Sequence, residues 1–285
     1  MRPSATGSSS TMSEPGQPRV ALVTGGAGGI GGAICRRLAG RGLRVVVADL
    51  DATAAAATAR SVGGRAVGVD VTDPAGCTAA VDAAMSGYGR LDVVALNAGI
   101  GSGQAGGEPV DIAAYRRIVG VNIDGVVFGI EAAVPALRAS GGGSIVVTAS
   151  LAGLVPMPSD PLYTLTKTAV VGYVRAMAEP LAAAGVRINA LCPGFTDTTI
   201  LGVARPVFEA AGFPLLEPDE VATAFTAVLD GGGSGEAWFV QPGREAAPYK
   251  FRGVPGPVLA DGSTVVPPAL TGWGEARGAG PGGPA

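Results

Sequence analysis

Two stretches of this chain, Arg44 to Asp49 and Ser144 to Ser150, carry β-branched residues at consecutive positions, Val45-Val46-Val47 and Ile145-Val146-Val147. Successive side chains of a strand point to opposite faces, so an unbroken apolar run fits only a sheet that is covered on both sides. From Arg19 onward such runs alternate with longer alanine-rich segments of helical character. That alternation predicts a doubly wound α/β domain with a parallel sheet. Strands are expected near Val20–Thr24, Arg44–Asp49, Ala66–Asp70, Asp92–Asn97, Ser144–Ser150, Arg187–Cys192 and Glu236–Val240, about seven in all. Helices are expected over Ile30–Ala39, Ala52–Ser61, Pro74–Ser86, Ile112–Leu137, Pro161–Ala184 and Pro218–Leu229, with Pro180 kinking or ending the fifth.

The 285 residues, 47% hydrophobic and 15% charged, suffice for one well-buried domain, placed here at residues 19–243. Residues 1–18 read as a flexible leader without an apolar signal core, and Met12 offers an alternative start. Residues 244–285 are crowded with Gly and Pro and read as an extended arm, whose Phe251, Val254, Val258, Leu259, Val265, Val266 and Trp273 suit it to lie across this subunit or a neighbour. Lys plus Arg total 20 against 23 Asp plus Glu, with no basic stripe, which argues against nucleic acid as a partner. Histidine is absent, and Cys35, Cys77 and Cys192 are scattered, so neither a zinc site nor a disulfide frame is expected and no metal is assigned. A soluble, cytoplasmic protein is the expectation, because the longest uncharged stretch, Ala139 to Ser159, is broken by Gly and Pro.

The first strand runs into Thr24-Gly25-Gly26-Ala27-Gly28-Gly29-Ile30-Gly31 and then a helix. Glycines there let the backbone turn tightly and approach a pyrophosphate held at the helix N-terminus. Asp49 closes the second strand, where a carboxylate accepts hydrogen bonds from ribose hydroxyls and repels a 2′-phosphate. No Lys or Arg lies in the turn or just after Asp49, so NAD is preferred over NADP. The plainer reading of Asp49 is a carboxylate that caps a loop.

Tyr163 and Lys167 are four residues apart within a predicted helix, so both face one bound molecule. The chain otherwise relies on arginine, Lys250 being its other lysine. A compact ammonium lowers the pKa of a neighbouring phenol, which makes this lysine a chemical choice. Ser150 closes the fifth strand, and the following loop can return its hydroxyl to the phenol, where it would orient a carbonyl. As a lone serine it would read as a loop cap.

Together these residues resemble the short-chain dehydrogenase/reductase family, over nearly all of Arg19 to Val240. The resemblance implies a Rossmann-type fold and matches Thr24 through Gly31, with Gly25, Gly29, Ile30 and Gly31, to the family's glycine motif. It places Asp70, with Val71, at the adenine, and matches Asn97-Ala98-Gly99 to the NAG motif. Asn122, Ser150, Tyr163 and Lys167 fall on the four catalytic positions, and Tyr163 and Lys167 also meet the nicotinamide ribose. Pro193-Gly194 fits the PG motif, with Thr196 and Thr198 where relatives hold the nicotinamide carboxamide and the phosphate. The chain departs from the pattern at Leu96, Leu165, Thr166 and Gln241-Pro242-Gly243.

The implied activity is NAD-dependent interconversion of a lipophilic secondary alcohol and its ketone, with Tyr163 exchanging the proton and Asn122 fixing a water that links Lys167 to solvent. Leu151, Leu154, Val155, Met157, Phe195, Ile200, Phe208 and Phe213 are candidates for the substrate wall, and Arg205 is the one cation on that segment to watch. The alternatives are an NADPH-dependent carbonyl or 3-oxoacyl-type reductase, and a non-catalytic regulator that senses nucleotide. A homotetramer or homodimer, built through the helices that hold Asn122 and Tyr163, is implied by the resemblance.

Overall fold

The computed structural model describes residues 17–265. Most of the expected leader, and Val266 and Trp273 of the expected arm, lie outside the described residues. The chain divides into a compact unit through Tyr249 and a second from Lys250 onward.

The first unit alternates strands and helices in this order: β1 Val20–Thr24, α1 Gly29–Gly40, β2 Arg44–Asp49, α2 Ala52–Val62, β3 Arg65–Gly68, α3 Pro74–Tyr88, β4 Val93–Leu96, α4 Ile112–Val119, α5 Gly125–Ala139, β5 Gly143–Thr148, α6 Pro161–Ala182, β6 Val186–Pro193, α7 Arg205–Ala210, α8 Pro218–Asp230, β7 Ala237–Val240 and β8 Ala247–Pro248. The strands form one sheet in the order β3-β2-β1-β4-β5-β6-β7-β8, parallel throughout except for the antiparallel β7–β8 pair. The order reverses between β1 and β4, which opens a crevice at the carboxyl ends of those strands. This is the doubly wound, Rossmann-type architecture expected from the sequence.

The apolar runs divide between two cores. Leu22, Val46, Val94, Ile145 and Ile188 pack with α3, α5 and α6 on one face. Their neighbours Val23, Val45, Val47, Val93 and Val146 pack with α1, α2 and α8 on the other. Consecutive β-branched residues are therefore all buried, each on its own side.

The differences from the sequence reading lie at the carboxyl edge of the sheet. An eighth strand, β8, forms beyond Gly243, within the stretch read as an arm. The strand expected to reach Asp70 stops at Gly68, and the one expected to reach Ser150 stops at Thr148. The single helix expected over Ile112–Leu137 is broken by a π-helical turn, Gly120–Asp124. Gly120, Gly125 and Gly129 let this segment lie close to Thr72, Val71 and Leu96, where a Cβ at Gly129 would come within 2.6 Å of Leu96 Cδ2. By length and a mean hydropathy of 1.5, Ile112–Ala139 passes as a membrane span, yet its Val126, Ile130, Ala133, Ala136 and Leu137 belong to the first core. Helix α6 continues through Pro180 for two more residues. Helix α7 and the 3-10 segment Thr199–Ala204 before it are additions to the expected elements, short and interrupted by Gly202 at φ +48.

The second unit holds a small turn of its own, in which Val258 bridges Thr264 and Asp261 accepts hydrogen bonds from the backbone and hydroxyl of Ser263.

At the amino ends of the strands Asp92 joins three of them. Its carboxylate accepts from Val20 N at 2.8 Å and from Arg90 at 2.6 and 2.9 Å, while its backbone pairs with Val20 and Ser144. Asp92→Ala would leave the Val20 amide and the Arg90 guanidinium without their acceptor. The expected loss is about 2–4 kcal/mol in urea unfolding, the range for stripping one partner from a largely buried charged pair. A loss under about 0.5 kcal/mol, the usual size of a surface substitution, would contradict the pinning role.

Candidate active site

Beyond Thr24 the chain turns through Gly25 in a left-handed conformation, φ +61. A Cβ at Gly25 would stand 2.9 Å from Ala98 Cα, and one at Gly31 only 2.0 Å from the Gly25 carbonyl oxygen. Helix α1 begins at Gly29 with glycine at its cap position, no side-chain cap and no acid in its first turn. Its leading amides thus have no side-chain acceptor, with the positive end of the helix dipole behind them, the environment that a pyrophosphate requires. A Cβ at Gly29 would come 3.0 Å from Thr198 Cγ2, so the segment after Pro193-Gly194 closes over the same turn.

Asp49 stands at the end of β2 beside this turn. One carboxylate oxygen accepts from Ala27 N at 2.9 Å and the other from Asp51 N at 3.1 Å. The loop-capping role is therefore real, and each oxygen keeps a lone pair for a ribose hydroxyl. Asp70 is exposed and accepts from the Thr72 amide and hydroxyl, with Val71 buried behind it. Asn97 is engaged within the protein: its side chain donates to Gly25 O at 3.2 Å and accepts from Thr148 Oγ1 at 3.1 Å. The Thr24 hydroxyl holds the amides of Asn97 and Ala98 at 3.0 and 3.2 Å. These bonds weld the glycine turn to the ends of β4 and β5.

Next to this cradle lie the four expected catalytic side chains. Asn122 is fully buried in the π turn, where its Oδ1 accepts from Ile100 N and its Nδ2 donates to Ile100 O, both at 2.9 Å, and to Thr166 Oγ1 at 3.1 Å. Lys167, 4% exposed, donates from Nζ to Thr148 O at 3.0 Å and lies 5.5 Å from the centre of the Tyr163 ring. A Cβ at Gly99 would be 3.2 Å from that Nζ and 3.4 Å from Asn122 Oδ1, so a side chain there would crowd both groups. Ser150 opens the 3-10 turn Leu151–Gly153, its hydroxyl accepting from Ala152 N at 3.1 Å and hydrogen-bonding toward the Tyr163 phenol.

Burial sets the proton affinities here. It pushes the Tyr163 phenol up to about 12, against the pull of the Ser150 hydrogen bond and assisted by Asp160 and Cys192. It lowers Lys167 to about 8, with Cys192 acting in the opposite sense. The sequence argument had the ammonium lowering the phenol, whereas in the protein alone burial governs the phenol and Lys167 takes no part in its shift. Cys192, beneath the site, is itself pushed up to about 12 by burial and remains a neutral thiol.

The match to known proteins follows the same residues. A model described as short chain dehydrogenase covers residues 19–206. This chain is a short-chain dehydrogenase. It is 39% identical over 223 residues, 75% of this chain and 90% of the relative, to cis-4-hydroxycyclohexanecarboxylate dehydrogenase of Sinomonas cyclohexanicum. It is 34% identical to cyclohexanol dehydrogenase of Acinetobacter sp. (strain SE19), over 76% of this chain and 90% of that one. Among solved structures, 3-ketoacyl-(acyl-carrier-protein) reductase from Brucella melitensis, complexed with NADH, superposes with a TM-score of 0.75 at 33% identity, covering 80% of this chain and 98% of that one. The family's cofactor is NAD or NADP, and the uncapped helix, the glycine cradle and Asp49 of this dehydrogenase fit such a dinucleotide.

Four side chains of the site escaped the sequence reading: the Thr24 and Thr148 hydroxyls, Ser102 and Asp160. Asp160 caps α6, accepting from Tyr163 N at 2.8 Å, and the Asp-Pro pair before the helix is the signal that could have found it. The apolar residues after Pro193-Gly194 do cluster: Phe195 and Phe208 have ring centres 4.4 Å apart, and Phe213 packs edge-on to both. Arg205 lies on α7 in ion pairs with Asp197 at 2.7 Å and Glu209 at 2.9 Å.

The buried lysine has a stability signature. Unfolded, Lys167 holds its proton to about 10.5, and folded only to about 8, so between these pH values the unfolded chain binds more protons. Unfolding free energy should rise with pH across that window, by up to about 1.4 kcal/mol per unit for one proton. Lys167→Met should remove this rise in urea titrations at several pH values. An equal slope in both proteins would place the proton elsewhere.

Proposed function

We propose that this dehydrogenase oxidises a lipophilic secondary alcohol to its ketone with NAD, and reverses the reaction when ketone and NADH are supplied. The observation that carries the reading is the meeting of the Tyr163 phenol, the Ser150 hydroxyl and the buried Lys167 ammonium next to the glycine cradle. When bound, the nicotinamide supplies the hydride acceptor or donor. The chain's own residues handle the proton and the orientation. Ser150 holds the substrate oxygen, and Tyr163 as phenolate takes the hydroxyl proton. Lys167 and the charge of the oxidised cofactor favour that phenolate over the neutral phenol that burial alone imposes. Asn122, fixed on Ile100, holds the π turn beside Lys167, where a water can pass its proton to solvent.

The substrate reading rests on Phe195, Phe208 and Phe213, of which Phe195 and Phe213 keep 40% and 45% of their surface exposed. Arg205 is neutralised by two carboxylates, which disfavours an anionic substrate. Names of relatives, with cyclohexanol, hydroxysteroids and hydroxycyclohexanecarboxylate among them, support secondary alcohols on a cyclic carbon frame, the last of them bearing a carboxylate. For NAD over NADP the support is Asp49, whose charge opposes a 2′-phosphate. The apolar hollow of about 250 Å³ framed by Ile123, Val127, Ala169 and Tyr173 supports self-association through α5 and α6. Free, buried Cys35, Cys77 and Cys192 suit the reducing cytoplasm.

The test is NADH formation with cyclohexanol and a panel of larger neutral secondary alcohols, run with NAD and with NADP. Turnover should be faster with NAD, and Asp49→Ser should narrow or invert the ratio. Preference for NADP in the unaltered protein would overturn the Asp49 argument. Tyr163→Phe should lower kcat by at least about a thousandfold, within the range of removing an essential acid–base group, while NADH fluorescence still reports binding. Near-normal turnover in that variant would remove Tyr163 from the mechanism.

A further inference from the structure

The loop at residues 100–111, between β4 and α4, is exposed along most of its length, yet Ser102 within it is 7% exposed. The reason is Asp160. Its Oδ2 accepts from Ser102 N at 3.0 Å, and its Oδ1 accepts from the Ser102 hydroxyl and, at 2.8 Å, from Tyr163 N. One carboxylate thus caps the helix that carries the phenol and grips the loop. Ser102 Oγ in turn accepts from Gln104 N at 3.0 Å, and the Gln104 side chain closes the loop by donating to Pro109 O and accepting from Asp111 N at 3.3 Å. The loop's other anchor is Asn122, which binds both backbone groups of Ile100 and reaches Thr166 Oγ1. The Thr166 hydroxyl donates to Tyr163 O at 2.9 Å. Two neighbouring residues of the loop, Ile100 and Ser102, are therefore tied to the same helical turn, through the Tyr163 carbonyl and the Tyr163 amide.

Nothing in this geometry is a general requirement of a helix cap. An Asp at the cap needs only the amides of its own first turn, and here two of the three hydrogen bonds go to a residue 58 positions away. Close packing supports the tie. A Cβ at Gly106 would come 3.1 Å from Pro158 O and from Pro161 Cγ, and one at Gly101 would lie 3.7 Å from Asp160 Oδ2.

We propose that Asp160 is a positioning residue that clasps the 100–111 loop to the first turn of the Tyr163 helix and so fixes one wall of the alcohol-binding cleft relative to the phenol. The inference rests on the assignment of Tyr163 as the proton acceptor. It adds that alcohol binding, more than dinucleotide binding, depends on Ser102 and Asp160, because the dinucleotide cradle hangs on Thr24, Asn97 and Thr148.

Two variants separate the clasp from the cap. Asp160→Asn keeps an oxygen for the Tyr163 amide but sets an NH2 group against the Ser102 amide, and Ser102→Ala leaves the cap intact and removes the hydroxyl. In the full chain both should raise the KM for cyclohexanol by about five- to tenfold, part of the worth of one charge-assisted hydrogen bond, with the KM for NAD changed less than about twofold. Backbone hydrogen exchange of residues 100–111 should quicken in both by a similar factor, with exchange in β4 and β5 unaltered. The double variant should be little worse than either single one, because losing either of the two Ser102–Asp160 bonds opens the same clasp. Unchanged exchange in the loop, or a fall in kcat with the alcohol KM unmoved, would overturn the proposal. If Asp160→Asn fails to fold, Ser102→Ala decides alone. Should the unaltered protein turn over no alcohol, the proton-transfer assignment fails, while the exchange data still report whether the clasp exists.

Discussion

The structure is organised around a cation that water barely reaches. Lys167 is 4% exposed, and an ammonium in that position is costly unless the protein replaces its hydration. The replacement here is mostly dipolar: the Thr148 carbonyl accepts from Nζ, and the Tyr163 ring presents its face 5.5 Å away. Among the described residues no carboxylate is hydrogen-bonded to Nζ. A partner of that kind would hold the lysine protonated and spend its field on the pair. Left with dipoles, the ammonium falls to about 8 and its field remains available to whatever negative charge forms beside it. Burial raises Tyr163 and lowers Lys167 together, so the protein alone keeps its phenol neutral. A phenolate becomes accessible only when further positive charge enters the site.

Fixing the lysine requires fixing Thr148, and that threonine is the hinge between the two halves of the site. Its carbonyl faces Lys167 while its hydroxyl binds Asn97, which holds the glycine turn through Gly25 O. Thr24 completes the circuit by gripping Asn97 and Ala98 from the end of β1. Dinucleotide cradle and proton-transfer group are thus joined by three short polar side chains at the ends of adjacent parallel strands. Short side chains suit the task because they lose little rotamer freedom on ordering.

Where the sequence determined structure through burial, it could be read directly. The strands β1 and β2 end where the apolar runs end, because each residue in them has a core to enter on its own face. Tyr163 and Lys167 were legible for a similar reason, since helical spacing alone puts them on one face. The glycine turn was legible because Gly25 and Gly31 are positions where a Cβ has no room. What periodicity could not show was how strands stop. Thr148, Ser150 and Asp70 all follow or close runs that look continuous, and the role of Thr148 depends on hydrogen bonds to Asn97 and Lys167, 51 and 19 positions away. Asp160 and Ser102 are of this kind. Neither stands in a pattern, and what joins them is the fold itself.

The π turn at Gly120–Asp124 shows why the irregular places and the chemical ones coincide. A regular helix over Ile112–Ala139 would be the better-bonded choice, and the sequence has the apolar length for it. With the turn widened there, Asn122 is fully buried and meets Ile100 and Thr166. The cost is local, and it is offset by close packing that Gly120, Gly125 and Gly129 permit against Thr72, Val71 and Leu96. A side chain at any of these glycines would press the segment away from the sheet, with Asn122 on it. The high glycine content of the chain is therefore tied to its chemistry at this helix as well as at the dinucleotide turn. In both places the absence of a side chain lets backbone lie where a functional group must be held.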